Sequence, residues 1–361
     1  MALTRIQPPA IADVREPNFR NIVINGDMSL AQRSTSVSGI TAFGYYTVDR
    51  MRLFGSYVGT WTQSQDTDVP TGQGFAKSLK MDCTTSSAVS AGSHLIINQR
   101  FEGQNLQYLK KGTSSAESLT LSFWVKSNKT GTYICELNDN DNTRQISKSY
   151  TISSADTWEK KTITYAGDTT GAFDNDNALS LYCNFWIGAG SNFTSGTLNT
   201  SWNSVTEANR AVGQVNLADS TSNEFFITGI QLEAGSVATD FEVVPFGQNL
   251  QRCQRYYQKI AEGTTQPIYL AMSYNATQAN AFVLLPNTMR TTPSIDQTSG
   301  ASYYRYVANA TNTSFASFSV DYGSTQALAI KTASISGLTG GEAGWFQTTD
   351  ASSYFAFDSE L

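Results

Sequence analysis

Charge is scarce in this chain. Only 15% of its 361 residues are Asp, Glu, Lys or Arg, and the formal net charge is −6. Phosphate binding needs a dense Lys/Arg surface, and the longest basic clusters are the pairs Lys110-Lys111 and Lys160-Lys161. Nucleic acid is therefore not an expected partner. No apolar run approaches the ~20 residues that span a bilayer. The opening residues, Met1-Ala2-Leu3-Thr4-Arg5-Ile6-Gln7-Pro8-Pro9, contain no apolar signal segment. These features predict a soluble chain, made in a cytosol and not inserted in a membrane.

Histidine is nearly missing, with His94 alone. A Ser-His-Asp triad needs an imidazole beside an exposed nucleophile and a buried acid. Ser93 precedes His94 at a predicted loop-strand edge, but there is no Gly-x-Ser-x-Gly elbow, so His94 reads as structural. The four cysteines (Cys83, Cys135, Cys183, Cys253) lie far apart in apolar patterns. They have neither Cys-x-x-Cys nor zinc spacing and read as buried thiols. No cofactor is expected, and no enzyme activity.

What is present is Thr, Ser, Asn, Gly and aromatics in short alternating runs. Residues 1–20, bracketed by Pro8, Pro9 and Pro17, read as an extended arm. Residues 21–246 read as many short strands, among them 21–28, 95–101, 119–126, 131–137, 161–165, 178–187 and 224–232. Gly/Ser/Asn/Asp clusters separate them. The pattern predicts an all-β fold, a jelly-roll β-sandwich. Leu250, Cys253, Tyr257 and Ile260 share one helical face, which predicts a connecting helix over 247–262. A smaller C-terminal β domain follows over 263–361, with strands at 268–272, 280–285, 303–307, 315–320, 326–333 and 354–357. Gly344-Trp345-Phe346 is read as part of a late Gly-rich loop, either a contact tip or a small core.

Glycosidases place two carboxylates about 5–10 Å apart. Most acids here sit in Asp/Asn clusters that suit turns, and Glu233 and Glu242 read as hydrogen-bonding a strand end or corner. Asp139-Asn140-Asp141-Asn142 and Asp174-Asn175-Asp176-Asn177 offer alternating oxygens. They lack the EF-hand glycine and glutamate and read as solvated turns; no metal is assigned.

The aromatics are more telling. Leu119, Leu121, Phe123 and Val125 mark one strand face as core, with Trp124 and Lys126 opposite. Leu179, Leu181, Cys183, Phe185 and Ile187 do the same, with Tyr182, Asn184 and Trp186 opposite. A ring among Asn, Ser and Lys suits sugar stacking. Trp124, Lys126, Tyr182, Asn184 and Trp186 are therefore the candidate glycan-binding residues. The alternative is that the rings are covered by a loop, the C-terminal domain or a sister subunit.

Three stretches carry a family likeness. They are Asn21-Ile22-Val23-Ile24-Asn25-Gly26-Asp27-Met28, Tyr46-Thr47-Val48-Asp49-Arg50, and Phe225-Phe226-Ile227-Thr228-Gly229-Ile230-Gln231-Leu232-Glu233-Ala234-Gly235 with Ala238-Thr239-Asp240-Phe241-Glu242 after it. With Val244-Pro245-Phe246 and Arg252-Cys253-Gln254-Arg255-Tyr256-Tyr257, the set resembles bacteriophage tail-fibre and receptor-binding proteins of the marine-phage type, which carry a jelly roll like that of carbohydrate-binding modules. The resemblance implies a virion protein made in the host bacterial cytoplasm and assembled as a homotrimer. It also implies that the N-terminal arm docks on other phage tail or head proteins, and that the receptor is a host surface polysaccharide. Related modules often hold a structural calcium near the positions of Asn25 and Asp27, but Thr228-Gly229 replaces their usual aspartates. A structural head fibre, knob or decoration protein is the alternative reading, and a polysaccharide depolymerase a further one.

Overall fold

The computed structural model describes residues 19–361, apart from residues 57 and 310. Residues 1–18 of the predicted arm lie outside the described residues. The chain divides into two units that interleave along the sequence. The first takes the described residues up to Ser29, Val37–Gly44 and Arg52–Phe246, and the second takes Leu30–Ser36, Tyr45–Met51 and Gly247–Leu361.

The first unit is an all-β jelly-roll sandwich. Its strands are β1 (Ser36–Ile40), β2 (Gly44–Tyr45), β3 (Arg52–Ser56), β4 (Thr60–Asp66), β5 (Ser78–Thr85), β6 (His94–Glu102) and β7 (Leu119–Ser127). Then come β8 (Gly131–Asp139), β9 (Arg144–Ile152), β10 (Glu159–Tyr165), β11 (Leu179–Ala189), β12 (Asn203–Ser204) and β13 (Glu224–Ala234), with a single helical turn, α1 (Ser191–Thr194), after β11. One sheet has the order β1-β4-β5-β13-β7-β10 and the other β12-β9-β8-β11-β6-β3-β2. Their inner faces meet through aromatic rings: Phe123 of β7 lies edge-on to Phe185 of β11 at 5.2 Å, and Tyr133 of β8 is 5.8 Å from Phe225 of β13. Burying such a side chain stabilises the fold by about 1.5–3 kcal/mol.

Residues 21–28, expected as a strand, are irregular. Two backbone bonds join them to β13, Ile22 N to Leu232 O (2.8 Å) and Ile230 N to Gly26 O (2.9 Å), and side chains take several of the others that a regular strand would have made. Asn21 Oδ1 accepts from Val23 N (3.0 Å) and Leu232 N (3.1 Å), and its Nδ2 donates to Ile230 O (3.0 Å). Gln99 brackets Ile24 in the same way, accepting from its N–H at 2.7 Å and donating to its carbonyl at 2.8 Å. Gly26 is required here, since a Cβ would lie 2.1 Å from Ile230 O. Glu242 accepts from the N–H groups of Phe19 (2.5 Å) and Asn21 (2.8 Å), and Glu233 from Thr239 N (2.9 Å). Both acids hold the strand end and corner, as the sequence suggests.

In the second unit, α2 (Phe246–Gln254) is shorter than the helix expected over 247–262. The remainder is strand β14 (Tyr257–Glu262). Tyr256 and Tyr257 are both buried; the chain leaves the helix between α2 and β14, so these neighbours need not share one helical stripe. Among the described residues nine strands follow α2 and β14 in chain order: β15 (Pro267–Asn275), β16 (Gln278–Leu284), β17 (Ser294–Gln297), β18 (Tyr304–Ala308), β19 (Thr311–Phe315), β20 (Phe318–Gly323), β21 (Ala327–Thr332), β22 (Ala343–Thr348) and β23 (Tyr354–Asp358). They form the sheets β14-β23-β17 and β19-β18-β22-β15-β16-β21-β20. Their core is a ring cluster in which Phe318 touches Phe346 at 5.0 Å and Phe355 at 4.8 Å. The strand expected over 315–320 breaks between β19 and β20. Phe315 and Phe318, three apart, are both buried, which the period of two forbids in one strand. Gly344-Trp345-Phe346, expected in a loop, lies within β22, so Phe346 is buried and Trp345 points outward.

The early segments of this unit are bound by buried charge. Arg33 stacks on Tyr257 (3.6 Å) and pairs with Asp358 (2.9 Å) and Glu360 (3.3 Å). Arg50 stacks on Tyr256 (3.4 Å) and pairs with Glu360. Burial disfavours the Arg50 cation, but Glu360 more than offsets this and raises its pKa. Asp49 accepts from Gln32 N (2.9 Å) and Nε2 (2.6 Å). Burial pushes its carboxyl up to about 6, against Gln32 and Arg33 and with Glu360.

This sets a pH dependence. An unfolded Asp titrates near 3.9, so between about pH 4 and 6 the native state holds a proton that the unfolded chain has lost. The stabilisation is full below pH 4 and lost as pH rises through 6. His94 acts oppositely, because burial lowers its pKa and acidification below about 6.5 favours the unfolded state. Comparing the parent with Asp49→Asn isolates the carboxyl. From pH 7 to pH 5 the parent should gain about 1 kcal/mol relative to the variant in denaturant unfolding, and equal pH responses would refute the assignment.

Candidate functional site

The five sequence-predicted residues do not form one site. Trp124 and Lys126 lie on β7, while Tyr182, Asn184 and Trp186 lie on β11 of the other sheet. The inner faces of these strands meet at Phe123 and Phe185, so their outer faces point away from each other. Trp186, expected to offer an open ring, is fully buried. Phe193 of α1 lies 5.5 Å from its ring, the Arg210 guanidinium 5.1 Å, and its Nε1 donates to Glu136 Oε2 at 3.2 Å. The segment after β11 folds back as a local cover. Lys126 pairs with Asp68 and sits over Phe226 at 4.3 Å.

Tyr182 and Asn184 do line a cleft of about 270 Å³ on the outer face of the β11 sheet, with Phe54, Asn98, Asn138, Asn140, Glu207 and Arg210. Strand register builds it. Asn184 of β11 pairs with Asn98 of β6 and Glu136 of β8, and Tyr182 pairs with Arg100 and Asn138. The first row is a hydrogen-bonded chain: Asn98 Nδ2 donates to Asn184 Oδ1 (3.1 Å), and Asn184 Nδ2 donates to Glu136 Oε2 (2.9 Å). Glu136, fully buried, also takes two bonds from Arg210, at 2.8 and 3.0 Å. Burial opposes the Arg210 charge, but Glu136 and Glu207 overcome it and raise its pKa. Above this floor the Arg100 guanidinium lies 5.3 Å from the Tyr182 ring. Asn98 is buried, and its Oδ1 has no hydrogen-bond partner. The cleft thus offers amides, a phenol ring and one unsatisfied acceptor, with its charges already paired. His94 packs among Phe54, Phe193 and Trp186 at 4.8–5.9 Å.

Sequence reasoning missed Asn98, Glu136, Asn138 and Arg210. The outward position of Asn98 on β6 was readable from alternation, but its neighbours depend on pairing between distant strands.

Trp124 is half-buried and lines a separate cleft of about 270 Å³ with Phe75, Phe241, Ser122, Lys160, Asp27 and Asp240. Gly229, at φ +61°, lets the Phe75 ring lie on the backbone; a Cβ would meet that ring at 2.6 Å. The neighbouring Thr228 hydroxyl donates to Lys77 O at 2.7 Å. Among the described residues no three His, Cys, Asp or Glu side chains gather as a metal site.

The cluster beginning at Asp139, expected as a solvated turn, is anchored by a buried ion pair. The Lys111 ammonium is surrounded by Asp139 Oδ2 (2.5 Å), Asp168 Oδ2 (3.1 Å), Thr170 O (2.9 Å) and Gly171 O (2.7 Å). Lys111, Asp139 and Asp168 are all buried. Arg144 clasps Asp168 with two bonds, at 2.7 and 2.9 Å. Burial alone would raise the Asp168 pKa, and these cations bring it below the ordinary value. This cage fixes the 138–143 rim of the Tyr182 cleft.

No protein-family model matches this chain, and no curated protein matches it. Solved structures do resemble it. The enzymatically active domain of tailspike protein 4 from Bacteriophage CBA120 is 15% identical with a TM-score of 0.33. That likeness covers 61% of this chain and 22% of the tailspike domain, so the chain spans about a fifth of its length. A family 30 carbohydrate-binding module is 13% identical over 63% of this chain and 94% of the module, with a TM-score of 0.31. A family 11 carbohydrate-binding module of a Clostridium thermocellum cellulosomal cellulase is 10% identical over 58% of this chain and the whole of the module, with a TM-score of 0.28.

Proposed function

We propose that this chain is a bacteriophage fibre protein of the tail or its tip that binds a host-surface glycan in the Tyr182 cleft without cleaving it. The observation that carries this reading is the row Asn98–Asn184–Glu136 beside Tyr182, with Asn98 Oδ1 buried and unpaired. A buried acceptor without a partner costs roughly 1–3 kcal/mol, and a sugar hydroxyl entering the cleft would supply the missing donor. The Tyr182 ring suits the C–H face of a pyranose, and the flanking amides suit its hydroxyls in either direction. Glu136 already accepts from Arg210, Asn184 and Trp186, which favours a fixed binding surface over an acid/base group. The family resemblance supports the virion setting, a homotrimer, and attachment to other phage proteins through residues 1–20. Several copies would then compensate for weak single-site binding.

The test is binding to host envelope polysaccharide on a sensor surface. Tyr182→Ala and Asn98→Ala should each weaken binding on the order of tenfold, about 1.4 kcal/mol, while Trp124→Ala leaves it unchanged. The reverse pattern would move the site to the Trp124 cleft. Release of new reducing ends would overturn the non-catalytic reading.

A further inference from the structure

The large sheet of the second unit carries large apolar side chains on both faces, with Asn280, Arg305, Gln347 and Lys331 sharing the outer one. One face is its core. On the other, strand register lines up a single row. Val307 of β18 pairs with Trp345 of β22, and Trp345 pairs with Leu270 of β15. Met272 pairs with Asn280, which places Leu270 opposite Phe282 of β16 two residues on. Phe282 pairs with Ala329 of β21, which pairs with Tyr322 of β20. Leu270, Phe282, Tyr322 and Trp345 are 83%, 70%, 76% and 41% exposed. Met272, Tyr274 and Leu284 widen the same face at 52%, 66% and 72%. Lys331 and Asp321, at one end, are paired with each other at 2.6 Å.

We propose that this face is the surface on which copies of the chain associate. Seven such side chains, each contributing on the order of 100–200 Å², present on the order of 1,000 Å². A stable interface needs about 800 Å² per partner. Monomers rarely leave a contiguous apolar patch of this size in water. Its composition selects the occupant. Surfaces that bind transient partners are about as polar as the rest of a protein, whereas interfaces between identical subunits are more apolar and poor in charge. The inference stands on this face alone and does not depend on the glycan cleft.

The experiment is the solution mass of the full chain by sedimentation, beside the double variant Leu270→Lys/Phe282→Lys. Both side chains are exposed, so circular dichroism should be unchanged, while melting loses only the part that association supplies. The parent should sediment as an oligomer at micromolar concentration and the variant as a single chain, with an association constant reduced at least a hundredfold. A monomeric parent, or an oligomer indifferent to the two lysines, overturns the proposal. So does a monomer that binds lipid vesicles through this face. Should the double variant unfold, Tyr322→Lys and Trp345→Gln, tested singly, must each weaken assembly, or the face is not the interface.

Discussion

Glu360→Ala should destabilise the second unit by about 3–5 kcal/mol, the usual cost of leaving a buried charge without its partner. Glu360 pairs with both Arg33 and Arg50, whose side chains are only 10% and 1% exposed. Removing its carboxylate leaves Arg50 on the Tyr256 ring with its main counter-charge gone. Arg33 fares better because Asp358 still pairs with it. Glu360→Gln preserves shape and one acceptor but not the charge, so it should recover only part of the loss. Denaturant unfolding reads both. A loss under about 1 kcal/mol for Glu360→Ala would mean that the pair behaves like an exposed ion pair, contrary to its burial.

The second large effect is expected at Lys111. Lys111→Met keeps the aliphatic stem but strands Asp139 and Asp168 beside two carbonyl oxygens. A loss of about 3–5 kcal/mol follows. Arg144 partly shields Asp168, so the penalty centres on Asp139. Adding Asp139→Asn to Lys111→Met should therefore restore part of the stability, a non-additive rescue that only coupled residues show. The cage holds the 138–143 rim, so the glycan binding proposed for the Tyr182 cleft should fall in Lys111→Met even at temperatures where it remains folded. If the double variant is less stable than the single one by the full cost of each change, the cage is not a coupled unit.

Legibility differed between elements. Strands β7 and β11 were plain in the sequence because a strict apolar alternation runs through them, and β13 because Phe225, Phe226, Ile227, Ile230 and Leu232 make a dense apolar run. Strands β4, β5 and β9 were not, since Thr60–Asp66, Ser78–Thr85 and Arg144–Ile152 are half polar and become strands only because neighbours supply hydrogen bonds. Residues 21–28 erred the other way: they look like a strand, but the Asn21 and Gln99 side chains occupy the backbone groups of Val23 and Ile24 and interrupt the ladder. At the site, alternation correctly separated Tyr182 and Asn184 from the core. It could not say what covers an outward ring. Trp186 is sealed by Phe193 and Arg210, which follow β11 in sequence and approach it only through tertiary folding. Nor could it show that β7 and β11 belong to different sheets. The row through Asn98, Asn184 and Glu136 joins strands far apart in sequence, so no local window contains it.

The interleaving of the two units bears on how the chain is made. Residues 30–36 and 45–51 emerge early, but the groups that complete them, above all Glu360, are translated some three hundred residues later. The whole sandwich is synthesised in the interval, and closing so long a loop is slow. A ribosome that stalls before Glu360 releases a chain whose Arg50 lacks the carboxylate that pairs with it in the folded unit. Such a product would remain open in its second unit and be exposed to proteolysis. The second unit therefore closes only after residues at the two ends of the described chain have met, which couples its folding to the late-made segment around Glu360.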